Sequence, residues 1–154
     1  MSEQSDLCAT LSRLAGEGEE NTIIAVAESL TGGSIAAALS RAESSGDWFA
    51  GGVVAYRPEV KHGLLGVPDG PIVSAAAASA MAESTARLLG ADLVVAVTGE
   101  GGPQPQEDAP GTVWFGVCAH GRTETSKHRF DGEPSQIVEA TTLHALELLV
   151  DGLS

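Results

Sequence analysis

Ser29 closes an apolar run and opens a small, polar one, Glu28-Ser29-Leu30-Thr31-Gly32-Gly33. A serine held at the corner between a strand and a helix is a candidate nucleophile, provided that a base stands beside it. Leu30 and Thr31 offer backbone N–H groups to a ligand, and Gly32 and Gly33 would let that ligand approach the main chain closely. Another reading of the same residues stays open: Ser29 or Thr31 caps the helix and the glycines serve packing. The run is not a Walker A loop, because no lysine follows the glycines.

A second group lies further along. Tyr56 is followed by Arg57, Lys61 and His62, three basic residues in a chain with 21 acidic and 8 basic side chains. Lys61 is one of two lysines, the other being Lys127. Such a cluster forms a local positive site, or else a solvated basic turn. A third group, Thr98-Gly99-Glu100-Gly101-Gly102-Pro103, again follows an apolar run. Thr98, Gly99, Gly101 and Gly102 would give a ligand access to the backbone there. Three such loops, each after a strand, can meet at one edge of a sheet, where open α/β sheets bind ligands.

The elements that must hold these loops are legible from periodicity. Leu7, Leu11 and Leu14 repeat at helical spacing over about 5–16, and Gly16 to Gly18 end that helix. Residues 22–27 are continuously apolar and β-branched, the pattern of a strand buried on both faces. A small-residue helix follows over about 32–42, then a strand over 49–56 ending at Tyr56. A short helix opens near Pro58, and an Ala-rich helix runs from a Ser74 cap to Leu89 and Gly90. A strand at 93–97 and the loop 98–111 lead to two strands, 112–118 and about 122–130. His120-Gly121 is so short a link that these two must form an antiparallel hairpin. A last helix spans about 134–150. This order, with helix-linked strands first and a hairpin last, predicts one α/β domain over residues 1–154, a three-layer α/β/α sandwich with a mixed, mostly parallel sheet of about five strands.

Composition narrows the function classes. A net charge of −13 repels phosphate backbones and anionic headgroups, so neither nucleic acid nor a membrane is an expected partner. No apolar run reaches the roughly 20 residues of a membrane helix. The amino-terminal segment lacks the basic and apolar regions of a signal peptide, so the expected location is the cytoplasm. Cys8, read as part of an exposed first helix, and Cys118, inside an apolar strand, do not suggest a disulfide. No zinc-ligand spacing occurs. His128 and His144 read as surface, core or interface residues, and Trp48 and Trp114 as packing or oligomer contacts.

The ordered set Ala27-Glu28-Ser29-Leu30-Thr31-Gly32-Gly33, Gly51-Gly52-Val53-Val54-Ala55-Tyr56 with Lys61, Leu64-Leu65-Gly66-Val67, Val73-Ser74, Ala96-Val97-Thr98-Gly99 and Gly111-Thr112-Val113-Trp114 resembles the C-terminal domain of the CinA (competence/damage-inducible) family over about 20–150. The amino-terminal domain of longer members has no counterpart, which implies a stand-alone form. The resemblance implies hydrolysis of the carboxamide of nicotinamide mononucleotide to nicotinic acid mononucleotide and ammonia. The family's serine falls on Ser29, its lysine on Lys61 and its tyrosine on Tyr56, and it also suggests a homo-oligomer. Lys61 would then be the base, which requires a neutral amine; burial and nearby Arg57 would each favour that form. Amides around Leu30–Gly33 would hold the oxyanion. No metal or organic cofactor is called for.

The sequence departs from the family where positive charge is expected. Glu100 enters the glycine loop, Asp108-Ala109-Pro110 precedes the Gly-Thr-Val-Trp element, and Pro134 and Val138 stand where arginines are usual. Arg57 is then the basic residue left to meet the phosphate, with Thr31 and helix amides sharing the charge. Three readings stand: a deamidase with relocated phosphate contacts, an amidase for a less anionic substrate, and a binding or interaction domain without turnover.

Overall fold

The computed structural model describes residues 2–99 and 109–154. In chain order the elements are α1 (Glu3–Ala15), β1 (Ile24–Glu28), α2 (Ser34–Ser40), α3 (Ser45–Trp48), β2 (Phe49–Val54), α4 (Pro58–Leu65), α5 (Ala75–Leu89), β3 (Leu93–Gly99), β4 (Thr112–Ala119), β5 (Arg122–Arg129) and α6 (Pro134–Leu153). The expected order holds, with one addition. The single turn of α3 carries too few residues to show a period, and it ends where buried Trp48 anchors it to the core. The second strand closes at Val54, so Tyr56 stands beyond it in the connection to α4.

The five strands lie in the order β2-β1-β3-β4-β5. β1 pairs parallel with β2 and with β3, whereas β4 is antiparallel to both β3 and β5. Four strands therefore run one way and β4 alone opposes them. Ala119 pairs with Arg122 across a two-residue turn in which His120 and Gly121 have φ of 50° and 83°. Positive φ at both central positions is the turn whose twist suits an antiparallel hairpin.

Apolar side chains fill both faces of the sheet. On one face α1, α2, α3 and α6 contribute Leu11, Ile35, Leu39, Trp48, Leu146 and Leu149 against Val26, Val95 and Phe115. On the other, α4 and α5 bring Leu65, Ala77, Met81 and Ala82 against Ala25, Val94 and Ala96. Few aromatics are needed because glycine and alanine let helix and sheet backbones close up. A methyl at Gly116 would come 2.5 Å from the Ala78 carbonyl oxygen on α5. One expectation is corrected here. Cys8 is buried, with its thiol directed at the Ala38 carbonyl at 3.5 Å, because α1 turns that side toward α2. Both cysteines are free.

The chain leaves β1 toward β2 on one side and reaches β3 on the other, so β1 stands where the strand order reverses. The connections leaving the carboxyl ends of β1 and β2 run to helices on opposite faces, and a crevice at such a point is the usual ligand site of open α/β sheets. No helix among the described residues is long and apolar enough to cross a membrane.

Candidate active site

Ser29 is the first residue past β1, and only 5% of its surface is accessible. The turn after it is held by Glu28, the last residue of the strand, which is fully buried. Its Oε1 accepts from the Thr31 hydroxyl at 2.6 Å, the Gly33 amide at 3.2 Å and the Ile35 amide at 3.0 Å. Its Oε2 accepts from the Ala36 amide at 2.9 Å. A lone buried carboxylate is costly, and these donors are what offset that cost. They include first-turn amides of α2 that would otherwise lack acceptors. Gly33, the N-cap, supplies no side chain, with φ of 106°. Gly32 has φ of 58°, a conformation that a β-carbon would strain.

The helix is thus capped by Glu28 rather than by Ser29 or Thr31, a role the sequence reading did not assign. An acid four residues before the Gly-Gly pair was the available signal. The capping also narrows the set of amides open to a substrate. The Gly32 amide donates to the Ser29 carbonyl at 3.1 Å and the Gly33 amide to Glu28. The Leu30 and Thr31 amides find no acceptor among the described residues. Two of the four residues expected to present oxyanion donors therefore shape the turn, and two keep their N–H groups. Likewise, the Gly33, Ile35 and Ala36 amides serve the carboxylate and are not available to a phosphate.

Lys61 projects from α4, which follows the neighbouring strand, and is 3% exposed. This excludes the solvated-turn reading for the lysine. Arg57 behaves differently: its guanidinium pairs with Glu59 at 3.0 Å and its side chain is 79% exposed. Of the two causes expected to favour a neutral Lys61 amine, burial is present, and the Arg57 charge is turned to solvent and balanced by a carboxylate. No direct hydrogen bond joins Ser29 to Lys61 among the described residues. His62 shares in the local structure: its Nδ1 donates to the Val67 carbonyl at 2.9 Å, closing the end of α4. Tyr56 is 67% exposed, and with Val54, Val60 and Leu64 it forms an exposed apolar rim on this segment.

The third strand end lies on the same sheet edge, since Ala27 pairs with Ala96 and Thr98 follows two residues on. The Thr98 hydroxyl donates to the Ile72 carbonyl at 2.6 Å and is fully buried, so it ties β3 to the segment before α5. Gly99 is required by packing: a methyl there would come 2.7 Å from the Thr112 carbonyl oxygen. Gly101 and Gly102, with Glu100 and Asp108, lie outside the described residues. Pro134 is the first residue of α6, and Val138 borders a cleft of about 310 Å³ with Ser34 and Arg41.

The profile of the CinA C-terminal domain matches residues 9–153. A CinA-like protein of Frankia casuarinae is 39% identical over 137 residues, covering 85% of this chain and 32% of the relative. A putative competence-damage inducible protein of Bacillus subtilis is 33% identical over 138 residues, covering 86% of this chain and 33% of its own. The chain thus spans about a third of the length of these curated relatives. Among solved structures, a competence or damage-inducible protein from Enterobacter asburiae superposes with a TM-score of 0.94 at 29% identity, covering 100% of both chains. A CinA superfamily protein from Klebsiella pneumoniae gives 0.90 at 30% identity, covering 99% of this chain and 98% of that one.

Proposed function

This chain belongs to the CinA C-terminal domain family, and from that premise we propose that it is an amidohydrolase that converts nicotinamide mononucleotide to nicotinic acid mononucleotide and ammonia. One observation carries the reading: Ser29 follows β1, the interior strand at the sheet's switch point, and a buried lysine follows the strand beside it.

In this reading the Ser29 oxygen attacks the carboxamide carbon and its proton passes to the Lys61 amine. Burial takes that amine out of bulk water, the condition that favours the neutral form a base requires. The link between the two side chains forms on substrate binding or runs through one water; catalytic hydrogen bonds are often long before the substrate arrives. The Leu30 and Thr31 amides receive the developing oxyanion, each well-aimed donor contributing about 3–4 kcal/mol at the transition state. Collapse breaks the C–N bond, the lysine returns its proton to the departing nitrogen, and ammonia leaves. Water then attacks the acyl-serine, giving the acid and free Ser29.

Tyr56 completes the set. Its exposed ring stands beside the strand ends, where it can face the positively charged pyridinium of the substrate. Gly99, and Gly101 and Gly102 beyond it, would border the nucleotide, Thr98 would hold that border to the fold, and Arg57 would meet the phosphate after exchanging Glu59 for it. The reading includes no metal and no organic cofactor. A homo-oligomer working in the cytoplasm belongs to the same proposal.

The test is incubation of the purified chain with nicotinamide mononucleotide and, separately, nicotinamide riboside, with ammonia and the acid product followed. Release from the mononucleotide supports the proposal. Release from the riboside alone transfers it to a less anionic substrate. Binding without ammonia makes the chain a nucleotide-binding domain, the second reading, which the replacement of basic residues at Pro134 and Val138 favours.

A further inference from the structure

We infer that Glu28 is a positioning residue for Ser29, an inference that rests on the nucleophilic role proposed above. The strand that carries it is otherwise Ile-Ala-Val-Ala, and all five of its residues are buried. The N-cap position cannot supply the cap itself, because Gly33 has φ of 106°, where a side chain would be strained. A carboxylate sent from the strand does something that a local cap cannot. It bonds the middle of the turn through Thr31 and the start of the helix through Gly33, Ile35 and Ala36, so one side chain fixes both ends of the segment holding Ser29.

Further bonds complete the clamp: Gly32 to the Ser29 carbonyl at 3.1 Å, and the Ser34 hydroxyl to the Thr31 carbonyl at 2.8 Å. The Gly32 and Gly33 amides and the Ser29 and Thr31 carbonyls of the turn are thereby committed, whereas the Leu30 and Thr31 amides are not. Glu28 thus has two effects. It sets the direction of the serine oxygen relative to those two amides, and it occupies the helix start with a negative charge, which sends the substrate's phosphate elsewhere. Small displacements of a nucleophile cost rate more than affinity, because the ground state does not need the alignment.

The experiment uses a fluorophosphonate, which labels an aligned serine whatever the natural substrate is. Labelling at Ser29, turnover of nicotinamide mononucleotide and thermal midpoint are measured for wild type, Glu28→Gln, Thr31→Val and Thr31→Ser. Thr31→Val removes one donor and leaves the helix cap; Thr31→Ser restores the hydroxyl. The expected result is labelling and kcat about tenfold slower in Thr31→Val with KM nearly unchanged, recovery in Thr31→Ser, and a larger loss in Glu28→Gln. Should Glu28→Gln fail to fold, the threonine pair decides. Wild-type labelling rates in Thr31→Val, or loss confined to the thermal midpoint, overturn the inference. A wild type that is labelled yet releases no ammonia sinks the substrate proposal and leaves this one standing. A wild type that resists the label sinks both.

Discussion

Ala55 donates its amide to the Glu28 carbonyl at 2.8 Å, one residue beyond the last register pair of β1 with β2, Glu28 with Val54. That bond sets the ends of the two strands level, so the turn of Ser29 and the connection bearing Tyr56 and Arg57 leave the sheet side by side. A parallel pair joined by a crossover offers this placement; a hairpin would put the second end at the opposite edge.

Arg57 should contribute to nucleotide affinity and hardly at all to stability. Its pair with Glu59 is exposed, and such pairs are worth about 0–1 kcal/mol. Arg57→Ala should therefore weaken binding of nicotinamide mononucleotide about tenfold without moving the thermal midpoint, and Glu59→Gln, which frees the guanidinium, should tighten it. Titration calorimetry reads both. Unchanged affinity in both variants would place the phosphate elsewhere.

Packing at Gly116 predicts a stability effect with no change at the site. An added methyl would meet the α5 backbone at 2.5 Å, and backbone cannot swing aside as a side chain tip can. Gly116→Ala should cost about 1–3 kcal/mol in chemical denaturation. A midpoint equal to wild type would mean that α5 moves off the sheet freely.

His144 predicts an acid-side loss of stability. Its ring lies 4.2 Å from that of His128 on β5 and 4.7 Å from that of Phe115 on β4, centroid to centroid, and Phe130 flanks the group. Burial, then the neighbouring His128, lowers its pKa from the ordinary 6.5, against the opposing pull of Glu147 and Asp151. The fold therefore favours the neutral ring. Its contribution is whole above about pH 6.5 and declines as pH falls below that value, where the unfolded chain takes up the proton first. Denaturation at pH 7.5 and 5.5 should show a larger fall for wild type than for His144→Phe. Equal falls would contradict this account.

The three layers were legible because helix and strand periods are strong in this chain. Residues 93–97 read as a buried strand from their unbroken apolar run, and Ser74 read as a cap from its place before alanines; its hydroxyl accepts from the Ala77 amide at 3.1 Å. What stayed hidden depends on long-range contact. Cys8 looked exposed because its own helix does not reveal that α2 will cover it. Glu28 was read only as the start of the polar turn, because the donors its carboxylate meets are brought back to it by the fold. The expected site residues were chosen by their places after strands, and that same rule could not separate the Leu30 and Thr31 amides from those of Gly32 and Gly33. The partners of those amides are set by a side chain earlier in the sequence.

Ammonia release by Ser29→Ala and Lys61→Met, beside wild type, tests the central claim most directly. Methionine matches the buried lysine in length without its amine, so the fold should persist, and calorimetry with nicotinamide mononucleotide checks that binding survives. The account predicts turnover in wild type and a loss of at least about a thousandfold in each variant with affinity retained. Hydrolysis at wild-type rate in Ser29→Ala would contradict it.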